Sequence, residues 1–148
     1  MSPFDLKSVL LAKHAQHVVV IHFPIALFLV SCAFDIVARW SRRRSLATAA
    51  YHNLAVAAFA TLPAVATGIM AWQWQLEGKS LRGNLRLHLV LGLASTGMIW
   101  LLYWWRKRLS ATPDESLGSY YTAFELIAVV AVSLTGHLGG ILSGVETL

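Results

Sequence analysis

Four long apolar stretches, residues 18–38, 47–72, 87–105 and 120–142, alternate with short polar breaks along this chain. Each reaches the roughly 20 apolar residues needed to cross a ~30 Å hydrocarbon slab. A backbone in lipid has to satisfy its own hydrogen bonds, so the four spans are expected to be helices. The short connections between them predict an up-down-up-down bundle. The reading is an all-α integral membrane protein, a single domain over residues 1–148. A short amphipathic segment, residues 4–14, is expected to lie on the membrane surface. Pro24 marks an entry point, because the residue before a proline avoids the helical region and proline itself suits a first helical turn. The first regular helix is therefore expected near Phe23, with His17–His22 as an irregular or kinked approach. In the second span Pro63 removes a backbone donor and frees the carbonyl of Phe59. Thr61, Thr67 or a water is expected to take it up.

Composition narrows the class. The chain is 57% hydrophobic and 13% charged, with a mean hydropathy of +0.60, and a soluble domain of this size has no room for four such stretches. The start Met1-Ser2-Pro3-Phe4-Asp5 lacks the basic beginning and small-residue cleavage site of a secretory signal, so none is expected. One cysteine, Cys32, forms no intramolecular disulfide, and without a Cys-x-x-Cys-His motif covalent c-type haem is excluded. The net charge of +5 comes from residues flanking the spans, which points to headgroups and topology and away from nucleic acid. Arg39, Arg42, Arg43, Arg44, Arg106, Lys107 and Arg108 sit at one side, and Lys7, Lys13, Lys79, Arg82 and Arg86 at the other. The positive-inside rule then places both termini outside, in the periplasm of a bacterial inner membrane. Trp40, Trp104, Trp105, Tyr120 and Tyr121 are expected to belt the inner interface, and Trp72 and Trp74 the outer.

Five of the six histidines fall at or near the outer side. Counted inward at ~1.5 Å per residue, His22, His88 and His137 lie within a few ångströms of one depth on three different spans. Two neutral imidazoles on different helices are what a b-type haem takes as axial ligands. Depth favours His22 with His137, since His88 sits about a turn nearer the water. Arg82 and Arg86 are placed to meet haem propionates. Gly136, Gly139 and Gly140 leave space for a macrocycle against backbone, although small residues equally serve helix packing. Taken singly, each histidine reads as a polar residue at the headgroup level; their shared depth argues for a cofactor. His14 and His17, spaced i, i+3, read as solvated surface residues, with a ligand role for His17 as the lesser alternative.

A second constellation lies near the inner face, where ionisable groups are functional hypotheses by default. Asp35 has Arg39 one turn on, an ordinary i, i+4 ion pair. Glu125 and His52 have no equally evident partner except each other. That pair would relay protons, touch a quinone headgroup, or simply pin two helices together.

The stretch from His17 to Leu27, with its His22-Phe23-Pro24, resembles the opening of a bacterial family of predicted membrane proteins, domain-of-unknown-function family 2231. Tyr51-His52-Asn53-Leu54 through Ala66-Thr67-Gly68 is similar to that family's second span, His88 to its third-span histidine, and Thr135–Gly140 to its Thr-Gly-His-Leu-Gly-Gly motif. The similarity covers roughly residues 15–145. Val18 stands where the family usually has proline, and the tail from Gly144 is shorter than usual. The resemblance implies association with cytochromes and other redox modules.

The expected function is that of a membrane-embedded b-type cytochrome, an electron-transfer subunit of a larger respiratory or redox complex rather than an independent enzyme. Its partners would be the lipid bilayer, neighbouring subunits, and a cytochrome c or quinone. No nucleophile motif or phosphate-binding loop argues for a hydrolase or nucleotidase. Two rivals stand beside it: a non-redox accessory subunit, and a protein binding zinc, copper or iron through His22, His88 and His137. Orientation has its own test. In a Cys32→Ser background, a single cysteine at position 83 is expected to react with impermeant reagent in intact cells, and one at position 43 is not. The opposite pattern inverts the topology.

Overall fold

Helices long enough to cross a membrane make up nearly all of a computed structural model that describes residues 13–75, 78, 80–109 and 118–144. They are α1 (Lys13–Ser41), α2 (Arg44–Gln75), α3 (Gly83–Leu109) and α4 (Ser119–Leu142). All four have the length and hydropathy of membrane spans, and no strand occurs among the described residues. The helices overrun the expected spans at most ends because polar residues continue a helix through the headgroup zone at no cost to its ladder. The connection between α1 and α2 shrinks to Arg42 and Arg43. Arg42 takes a left-handed conformation, φ 54°, the helix-ending geometry that glycine usually supplies. This tight reversal lays α2 directly along α1, the closest packing in the bundle, with α3 against α4 next. The bundle is thus two helix pairs set side by side.

The faces sort as a lipid solvent requires. Phe23, Val56, Phe59, Leu62, Leu93, Leu101, Ile127 and Val130 lie outward and exposed on the four helices, where hydrocarbon covers them. Phe28, Leu54, Ala57, Ile99, Leu102, Ala128 and Val132 form the interior, with Cys32 and Tyr121 among them. Trp40 and Tyr120, 90% and 83% exposed, stand at one end as interfacial anchors. Tyr121 does not join that belt. It is fully buried, edge-on to Trp105 at 5.6 Å, because one residue further along a helix is a rotation of about 100°.

Three further expectations are corrected. His17–His22 is regular helix, since α1 begins by Lys13 and runs through Pro24. A proline inside a membrane helix is tolerated where neighbouring helices cover the gap, and Pro24 is buried against the bundle. Lys13 and His14 therefore belong to α1, and the remainder of segment 4–14 lies outside the described residues. Near Pro63, neither threonine serves the Phe59 carbonyl: Thr61 donates to Ala58 at 2.6 Å, and Thr67 to Pro63 at 2.9 Å and Ala64 at 3.0 Å.

The third correction concerns charge. Asp35 pairs with Arg106 of α3, not with Arg39. Asp35 is 1% exposed and faces the interior, so its cation has to come from a facing helix. Arg39, a turn nearer the interface, reaches instead to Thr122 of α4. Arg106 is therefore not an interfacial flank residue. Its second amino group donates to the Ala47 carbonyl at 2.7 Å, so one guanidinium joins α1, α2 and α3. Removing one member of a buried pair strands the other. Arg106→Met is expected to lower unfolding stability in detergent by about 3–5 kcal/mol. Asp35→Leu combined with Arg106→Met is expected to lose distinctly less; equal losses in a denaturation series would contradict this account of the tie.

Candidate functional site

Towards the opposite end, the two helix pairs enclose a cavity of about 340 Å³ to which all four helices contribute. That lies within the ~300–1,000 Å³ range of small-molecule sites. The walls are mainly aliphatic, from Val18, Ile21, Ile25, Val65, Leu89 and Val132, with two imidazoles, His17 and His88, among the few polar groups.

Each imidazole is oriented through its Nδ1. His88 donates Nδ1–H to the carbonyl of Thr135 across the α3–α4 contact, at 3.1 Å. A neutral ring that donates from Nδ1 carries its lone pair on Nε2. The Nδ1 of His17 lies 3.1 Å from the hydroxyl oxygen of Thr67 on α2. That hydroxyl also lies within reach of the carbonyls of Pro63 and Ala64 in its own helix. The contact fixes the orientation of the His17 ring against α2. Helix propensity has little part in this; the partners are polar atoms that a lipid-embedded helix keeps for its neighbours.

Glycine makes each arrangement possible. A Cβ at Gly68 would lie 3.0 Å from Cε1 of His17, and one at Gly139 would lie 3.2 Å from Cε1 of His88. Gly139 follows Thr135 by four residues, on the stretch of helix surface towards which the Thr135 carbonyl points. The bare backbone there lets the ring reach that oxygen. The Thr135 hydroxyl meanwhile donates to Ala131 at 2.8 Å and meets Ser95 at 3.2 Å.

His22 and His137, matched in depth, do not line this cavity. Five residues on from His17, His22 is rotated by about 140°. It is exposed and donates to the carbonyl of Val18 in its own helix. His137 is exposed on α4, while Gly136 and Gly139 beside it do line the cavity and Gly140 does not. Arg82 and Arg86 are exposed at the start of α3, next to the lining residues Leu81 and Leu85. Of His14 only its place in α1 is described.

At the arginine-rich end, His52 and Glu125 do not share an environment. His52 is exposed and edge-on to Tyr51 at 5.5 Å. Glu125 is 1% exposed and lies against Asp35 and the thiol of Cys32.

His17 and its partners are what reading by depth passes over. The signal was nonetheless present. His17, Ile21, Pro24 and Ile25 fall on one helical stripe, as do His88, Gly92, Ser95 and Ile99. Treating residues 17–22 as irregular removed the periodicity that would have turned His17 inward.

The sequence model of a family described as predicted membrane protein (DUF2231) matches residues 13–146. No curated protein and no solved structure matches the chain. The matched stretch takes in all four helices, both cavity histidines and the buried charge pair. This chain belongs to the DUF2231 family of predicted membrane proteins.

Proposed function

We propose that this protein is a membrane-embedded b-type cytochrome, with haem held between the two helix pairs and His17 and His88 as its axial ligands. One observation carries the reading. Two imidazoles, one from each helix pair, line the same apolar cavity, and each is oriented by a contact at its Nδ1. When bound, the haem supplies one-electron transfer. The chain's own residues orient the ligands, exclude water and set ligand basicity through the bonds at Nδ1. Arg82 and Arg86 stand near the Leu81 end of the cavity, where propionates directed at water would meet them. The protein would serve as an electron-transfer subunit of a larger redox complex in a bacterial inner membrane, exchanging electrons with a cytochrome c, a quinone or a neighbouring subunit.

A bare metal site is less well supported. Among the described residues no three His, Cys, Asp or Glu side chains gather as a metal site, and of His22, His88 and His137 only His88 lines the cavity.

Absorbance of the purified protein tests the proposal: a Soret band that shifts on dithionite reduction is expected. His17→Ala and His88→Ala are each expected to lose the low-spin spectrum, whereas His22→Ala and His137→Ala keep it. If His17→Ala and His88→Ala both retain a wild-type spectrum, the ligand assignment fails. Absence of porphyrin from the wild-type protein overturns the cytochrome reading itself.

The supporting residues give a graded outcome. Thr67→Val removes the hydroxyl that orients His17, and is expected to weaken haem retention by roughly 10–100-fold. Gly139→Val is expected to displace His88 and reduce haem content, while Gly97→Ala, whose new Cβ meets nothing within 4 Å, leaves it unchanged. A haem titration of each apoprotein measures these differences.

A further inference from the structure

The arginine-rich end holds a second site of a different kind. Asp35 and Glu125, each 1% exposed, come together from α1 and α4. Arg106, 5% exposed, is the buried cation they face. Its guanidinium is directed to Asp35 Oδ2 and to the Ala47 carbonyl. Among the described residues the surroundings add no second buried positive charge. From α1 come the Cys32 thiol, beside Glu125, and Arg39, which is exposed and reaches to Thr122. From α2 come the Ala47 carbonyl and Tyr51, which stacks on Tyr103 of α3 at 6.2 Å. From α4 comes Tyr121, one turn before Glu125 and fully buried. Two buried oxygens stand without a hydrogen-bond partner, Asp35 Oδ1 and the Tyr121 hydroxyl.

Counting charge decides what is missing. Asp35 and Arg106 together are neutral, so an ionised Glu125 would leave one uncompensated negative charge in an apolar interior, with two carboxylates side by side. Neighbouring like charges do not both persist away from water. A proton on the pair removes the excess charge, and an O–H from Glu125 supplies the donor that Asp35 Oδ1 lacks.

We propose that Asp35 and Glu125 form an intramembrane proton-binding site, sharing one exchangeable proton against the fixed charge of Arg106. Uptake of a proton from water takes the three-residue cluster from net −1 to neutral, and release reverses it. The proton belongs to the pair rather than to either residue. The site does not depend on haem and stands or falls separately from it.

Infrared spectroscopy of the full-length protein in lipid nanodiscs tests this. A carboxylic-acid carbonyl band is expected that disappears as pH rises across the range in which the protein stays folded, and that shifts in deuterium oxide. Glu125→Gln is expected to abolish it. Asp35→Asn is expected to abolish it as well, because one carboxyl facing one guanidinium is already neutral. This second variant also assigns the band should Glu125→Gln not accumulate. A band absent throughout overturns the shared proton. A band that never titrates overturns the exchange and leaves a structural acid. Loss in Glu125→Gln with retention in Asp35→Asn overturns the pairing.

Discussion

Inside a bilayer, apolar surface gains nothing by meeting other apolar surface, so the arrangement of these helices depends on where their polar atoms find partners. The pattern of those partners defines the bundle. Ser31 of α1 donates to the Ala50 carbonyl of α2, Trp100 of α3 to Thr61 of α2, and Ser95 of α3 meets Thr135 of α4. Arg39 joins α1 to α4, and Arg106 joins α3 to both α1 and α2. Small residues let the helices approach closely enough for such short side chains to reach. Alanines 50, 57 and 58 of α2, all fully buried, are the main instance.

This constraint also divides the molecule into two ends of opposite character. At the arginine-rich end the buried polar groups include the ionisable side chains of Asp35, Glu125 and Arg106. At the histidine end they are imidazoles and hydroxyls that meet across the helix contacts, and the space between the helix pairs is open. A neutral imidazole costs far less to hold in lipid than a carboxylate, so this end can keep a cavity without a compensating ion. The same helices thus carry a tie at one end and a receptacle at the other.

Properties that depend on one coordinate along the chain were readable from the sequence. Span number and helix type follow from length and hydropathy alone, and the motifs around His22 and Gly139 pointed to the family. Properties that depend on rotation about a helix axis were not. Tyr120 and Tyr121 are neighbours at one depth, yet one is 83% exposed and the other fully buried. His17 and His22 differ in the same way. Partners far apart in sequence were equally hidden: nothing local distinguishes Arg106 from Lys107 and Arg108, yet it is Arg106 that pairs with Asp35.

The sequence distance between Asp35 and Arg106 has a consequence for biogenesis. A chain inserted from its N-terminus delivers Asp35 to the bilayer 71 residues before Arg106. Through that interval the Asp35 carboxyl has no guanidinium from α3 to pair with, and Arg39, one turn on, is the nearest cation in its own helix. Arrival of α3 brings Arg106, which reaches both α1 and α2, so the closely packed α1–α2 hairpin is completed by a helix that enters after it.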